Sequence, residues 1–157
     1  EPHKLIASLM YGSGLRVVEA CRLRIKDIDF DRQIITVRSG KGDKDRTTLL
    51  PTSLIEPLRE RRARIQRAWR KQDAFYQCDA SLPYALRRKY PNAARSLEWQ
   101  WLFPSQGLCA DDEGNIVRHH LHVNAVQTLL GHADVRTTQI YTHVLGNAFA
   151  GVQSPLG

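Results

Sequence analysis

Between Leu5 and Tyr76 the hydrophobic period of the chain changes twice, and this constrains the fold more than any other feature. Leu5, Ile6, Leu9 and Met10 recur at helical spacing and stop at Gly12-Ser13-Gly14, a helix-ending signal. A second short helix is expected from about Leu15, with Val17, Val18, Ala20, Cys21 and Leu23 apolar around it. Three strand-like segments follow, Ile28–Phe30, Ile34–Arg38 and Arg46–Leu50. Asp31-Arg32-Gln33 turns between the first pair and Gly40-Lys41-Gly42-Asp43-Lys44 between the second. Pro51-Thr52-Ser53 then opens a long helix, with Leu54, Leu58, Ile65, Trp69, Gln72 and Tyr76 down one side. Short strands joined by tight turns pair antiparallel. The predicted class is therefore α+β, mainly α-helical with a small three-stranded antiparallel sheet. Gln106 to Asn115 reads as a loop and Ala148 to Gly157 as a loose tail.

A chain of 157 residues fits one domain with a core of its own. Charge is where its composition departs from the ordinary. Lys+Arg 23 against Asp+Glu 16 gives a net charge of +7, which favours a polyanionic partner, nucleic acid first. Cys21, Cys78 and Cys109 lie far apart and form no C-x-x-C pair, so reduced thiols and a cytoplasmic setting are expected. Glu1-Pro2-His3-Lys4 does not resemble a signal peptide, and no apolar run reaches membrane-spanning length. Arg118-His119-His120-Leu121-His122 has no acidic or cysteine ligand at a fitting spacing, so no metal is expected there.

The other faces of the long helix carry Arg59, Arg61, Arg62, Arg64, Arg67, Arg70 and Lys71, with only Glu60 among them. Such a run is either a solvated helix face or a stripe that neutralises phosphates. From Leu82 to Phe103 the sequence becomes basic and aromatic, with Tyr84, Arg87, Arg88, Lys89, Tyr90, Arg95, Trp99, Trp101 and Phe103. Flat rings interleaved with cations suit unstacked bases. The competing reading is that Trp99, Trp101 and Phe103 alternate along a strand and face a core.

Near the C-terminus, His132 and Tyr141 stand nine positions apart across a polar turn, Leu129-Leu130-Gly131-His132-Ala133-Asp134-Val135-Arg136-Thr137-Thr138-Gln139-Ile140-Tyr141. A tyrosine can attack a phosphate and hold it covalently when cations and hydrogen-bond donors offset the developing charge. Arginine suits the equatorial oxygens because its planar fork never deprotonates, and a lysine ammonium can give a proton to the leaving oxygen.

That stretch resembles the C-terminal box of tyrosine recombinases. Tyr11-Gly12-Ser13-Gly14-Leu15-Arg16-Val17-Val18-Glu19 resembles the family's first arginine box, and Gly40-Lys41-Gly42-Asp43-Lys44-Asp45-Arg46 its β-hairpin. The resemblance implies that Tyr141 is the nucleophile forming a 3′-phosphotyrosine. Arg16 and His132 would stabilise charge on the phosphate, Lys41 would be the general acid, and no metal or nucleotide cofactor is needed. Leu82–Pro91 and Trp99–Pro104 look like the insertion of integron integrases, which packs against extrahelical bases of a folded single-stranded site. Arg118–His122 and Gly151–Leu156 also read like that subfamily. The expected partner is DNA, double-stranded or a folded single strand. The candidate contacts are Lys44, Arg46, Arg61, Arg64, Arg88, Lys89, Trp99, Trp101, His119 and His120.

Two departures qualify the resemblance. The chain starts just before the Arg16 box, so residues 1–157 are expected to be a single truncated catalytic domain without the family's N-terminal core-binding domain. The His-x-x-Arg box is also absent: no histidine anywhere has an arginine three positions later. The junction Ala125-Val126-Gln127 reads as the site of an internal deletion. Losing a preorganised charged contact to a transition state costs roughly 3–4 kcal/mol, so cleavage is expected to be feeble. Missing packing would also expose apolar surface and favour homo-oligomers. The alternatives are a competent recombinase in which Arg118 or Arg136 replaces the lost arginine, or a non-catalytic module that dimerises with full-length recombinases.

Overall fold

The computed structural model describes residues 2–38, 44–71, 76, 78–124 and 126. Helix α1, Pro2–Ser13, buries Ile6, Leu9 and Met10 along one face. It ends at Gly14, whose φ of +63° is a left-handed conformation that a side chain disfavours. The chain turns there into the short helix α2, Val17–Cys21, whose Val17, Ala20 and Cys21 enter the same core. A single 3₁₀ turn, Ile25–Asp27, leads into the first sheet.

That sheet is antiparallel, in the order β1 (Ile28–Asp29), β2 (Ile34–Val37), β3 (Arg46–Leu49). Its register pairs Ile28 with Ile35 and Val37 with Arg46. Alternation puts Ile35 and Val37 in the core, while Thr47 and Leu49 face outward. The three strands and their order agree with the sequence reading, each about a residue shorter than expected. Helix α3, Thr52–Arg70, starts after Pro51 and buries Leu54, Leu58 and Ile65. Trp69 packs against the core, as the periodicity predicts, and so does Tyr76, although the helix ends at Arg70, short of it; Gln72 lies outside the described residues.

The second half differs from the sequence reading. Helix α4, Tyr84–Lys89, buries none of its residues. Two 3₁₀ turns follow, Ala93–Arg95 and Leu97–Trp99. The stretch expected as a loop from Gln106 to Asn115 is largely a hairpin. Strand β4, Pro104–Ala110, pairs antiparallel with β5, Ile116–His120, and only the turn between them is irregular. The physical reason is that residues 106–110 are exposed, so no apolar alternation marks the strand. Its turn is held instead by Asp111, whose carboxylate accepts the backbone N–H groups of Glu113 and Asn115. Trp99, Trp101 and Phe103 do not alternate on a strand either. Trp99 closes a 3₁₀ turn, and Trp101, Leu102 and Phe103 are buried in succession. No helix among the described residues is long and apolar enough to cross a membrane.

Candidate functional site

Arg16 sits at the mouth of α2, and its position is set by Glu19. The Glu19 carboxylate accepts the Arg16 backbone N–H at 2.8 Å, capping the helix start. Its other oxygen lies 3.4 Å from Arg16 Nη1. Arg46, at the end of the β2–β3 ladder, donates Nη2 to the same carboxylate at 2.8 Å. The Glu19 side chain is only 7 % exposed, whereas the two arginines are 37 % and 38 % exposed. Two guanidiniums thus converge on one buried carboxylate, with a net positive charge and donor atoms left facing solvent. Such a cluster can hold a second oxyanion, because each planar fork offers more donors than the carboxylate occupies. Thr48 Oγ1 ties the sheet to α1 by donating to the Ser13 carbonyl at 2.8 Å.

Lys44 is exposed immediately before β3. The hairpin's flank is held by Arg38, which pairs with buried Asp27 at 2.9 Å and with Asp45 at 3.3 Å. Lys41, His132 and Tyr141 lie outside the described residues, as do Arg136, the junction at Ala125 and Gln127, and the tail. Of the four residues in the expected reaction centre, the structure therefore places Arg16 and joins it to Arg46.

The arginines of α3 divide into two groups. Arg61 is half-buried, donating Nε to the Leu102 carbonyl at 2.7 Å with its guanidinium 4.9 Å from the Phe103 ring. These two contacts make Arg61 a brace of the fold, and burial lowers its pKa. Arg59 and Arg62 flank Phe30 and, with Lys26, line a groove of about 530 Å³ between the β1 turn and α3. Arg64 is exposed and lines a separate groove with Lys4 and Glu60. Desolvation and the neighbouring Arg38 charge push the Lys26 ammonium down to about 8, its Nζ lying over the Trp99 ring.

Residues 82–103 present different aromatics from those favoured by sequence. Trp101 is 7 % exposed, donates Nε1–H to the Arg118 carbonyl at 3.0 Å, and stacks edge-on with His120 at 5.3 Å. Trp99 is half-buried against Lys26. The open rings are Tyr84, 64 % exposed, and Tyr90, 48 % exposed, beside exposed Arg88 and Lys89. Arg87 anchors this helix to the body through Asp79, Asp111 and Glu113. His119 and His120 are half-buried, and burial first, then nearby cationic groups, hold both below the ordinary imidazole range. His120 Nδ1 donates to the Leu121 carbonyl at 2.9 Å. Sequence reasoning passed over Glu19, although its spacing of three from Arg16 is the capping signal that could have found it. It had no signal for Arg24.

A helical scaffold with a small antiparallel sheet, presenting paired arginines at a helix mouth, is suited to holding phosphate rather than an apolar ligand. The model of the phage integrase family matches residues 1–107, and the chain belongs to this family of tyrosine recombinases. It is 39 % identical over 195 residues to an integrase/recombinase of Escherichia coli and to one of Pseudomonas aeruginosa, covering 98 % of this chain and 58 % of each relative. It is 34 % identical over 148 residues to the tyrosine recombinase XerA of Pyrococcus furiosus, covering 90 % of this chain and 50 % of that protein. The chain thus spans between half and three-fifths of the length of these relatives.

Proposed function

We propose that residues 1–157 act as a DNA-binding catalytic domain of a site-specific, integron-type tyrosine recombinase whose strand cleavage is impaired. The observation that carries this reading is the Arg16–Glu19–Arg46 cluster, a preformed oxyanion site lying wholly within the family-matched segment. In this reading Arg16 contacts the scissile phosphate, Lys41 protonates the leaving 5′ oxygen, His132 steadies the phosphate and Tyr141 attacks it. The 82–103 insertion contributes Tyr84, Arg88, Lys89 and Tyr90 as its solvent-facing contacts, since both tryptophans are engaged internally.

Impairment is supported by the missing His-x-x-Arg box and by the length of the match. The alignment to the Escherichia coli relative spans 195 positions, 38 more than the 157 residues of this chain. At least that many of the relative's positions therefore have no counterpart here. Arg118 is a poor replacement for the lost arginine. It is buried, and Nη1 donates to the Ser105 and Gln106 carbonyls at 2.8 and 3.0 Å.

Fluorescence anisotropy with a labelled hairpin oligonucleotide carrying unpaired bases tests the binding. Affinity is expected to fall steeply with salt, and Tyr84→Ala with Tyr90→Ala to remove the preference for the hairpin over blunt duplex of equal length. Salt-independent binding, or a preference untouched by the two substitutions, would overturn the assignment.

A further inference from the structure

Arg24 follows α2 by three residues and is one of the most buried charges among the described residues, at 6 % exposure. Its guanidinium grips two carbonyls far apart in sequence: Nη1 donates to Trp99 O at 2.5 Å and Nη2 to Ser81 O at 2.7 Å. Those two carbonyls are the two ends of the segment that carries α4. One side chain therefore closes the base of the whole 82–98 excursion, on which Tyr84, Arg88, Lys89 and Tyr90 are displayed.

The same guanidinium lies 3.5 Å from the centroid of the Trp101 ring, within cation–π range. Its backbone N–H donates to Asp27 at 2.9 Å, and Asp27 in turn pairs with Arg38. On either side, Ile25 N–H donates to Gln100 O at 3.1 Å and Leu102 N–H to Leu23 O at 2.8 Å. Residues 23–25 and 100–102 thus form a short ladder that continues directly from the helix holding Glu19.

We propose that Arg24 is a positioning residue that fixes the spacing between the Arg16–Glu19–Arg46 cluster and the Tyr84–Tyr90 surface, so that a single DNA molecule engages both. This rests on the DNA-binding reading above. Two contact surfaces on one rigid body bind one ligand with an effective concentration set by how well their separation is held. A lysine at position 24 would keep the charge but lose the fork, since an ammonium cannot lie flat on Trp101 while meeting two separated carbonyls. Desolvation lowers the Arg24 pKa to about 10, so the group stays charged at neutral pH and both carbonyl contacts hold.

The test introduces Arg24→Lys into the native chain and into a Tyr84→Ala, Tyr90→Ala background. Affinity is then measured for the hairpin oligonucleotide with unpaired bases. The expected result is a loss of about tenfold in the native background and less than about twofold in the other, where only one surface remains to be positioned. Equal losses in both backgrounds, or none in either, would overturn the proposal. Amide hydrogen exchange supplies a readout without DNA. Arg24→Lys should speed exchange at Ile25 and Leu102 and leave α1 and α3 unchanged, and continued protection at those two amides would contradict the role. If the native chain bound no DNA, the DNA-binding reading would fail, and the positioning role for one DNA with it; exchange would then report only on the joint. Where Arg24→Lys does not fold, Arg24→Gln, whose single amide cannot meet both the Trp99 and Ser81 carbonyls, is expected to give the same pattern.

Discussion

Glu19 shows how one carboxylate sets the character of the site. It is buried, caps α2 and holds Arg16 and Arg46 within reach of one another. Glu19→Gln would keep the shape and leave two guanidiniums facing each other without a countercharge. Because both arginines are more than a third exposed, solvent screens much of the repulsion, and the expected loss is about 1–2 kcal/mol in urea unfolding. An unchanged midpoint would mean that the carboxylate does not organise the pair. The sequence box singles out Arg16 but not its coupling to Arg46, which depends on the sheet register that places position 46 opposite Val37. Residue type likewise could not say which aromatics face solvent. Trp101 looks like a stacking residue in the sequence and is a core residue holding the Arg118 carbonyl, whereas Tyr84 and Tyr90 are open.

At the scale of elements, legibility followed burial. The first sheet and α3 were readable because one face of each is buried and the period shows, as with Ile35 and Val37 or Leu54, Leu58 and Ile65. The β4–β5 hairpin was not, since its strand 104–110 gains its order from pairing with β5 and from Arg118 rather than from an apolar face. Helix α3 also separates two jobs that its sequence runs together. Arg61→Ala should destabilise the fold by about 1–2 kcal/mol through the lost Leu102 contact and the packing on Phe103, with little effect on salt dependence. Arg62→Ala should leave the melting temperature unchanged and reduce the slope of log affinity against log salt by about one. Differential scanning fluorimetry and salt titrations of both variants separate the roles, and a reversed pattern would show that Arg61 faces the polyanion.

For the whole molecule, in the proposed reading a net charge of +7 and the paired-arginine cluster hold DNA. In the same reading, a sequence with no His-x-x-Arg spacing leaves the covalent step short of one charged contact. Binding and cleavage should therefore come apart. The most direct measurement is incubation with a nicked oligonucleotide carrying the recombination site of the Escherichia coli relative, scored on native gels for binding and on denaturing gels for covalent adduct. The expected result is a salt-sensitive complex with adduct formation slower than that of the relative by about a hundredfold to a thousandfold. Adduct forming at the relative's rate, and abolished by Tyr141→Phe, would contradict it, as would the absence of any complex.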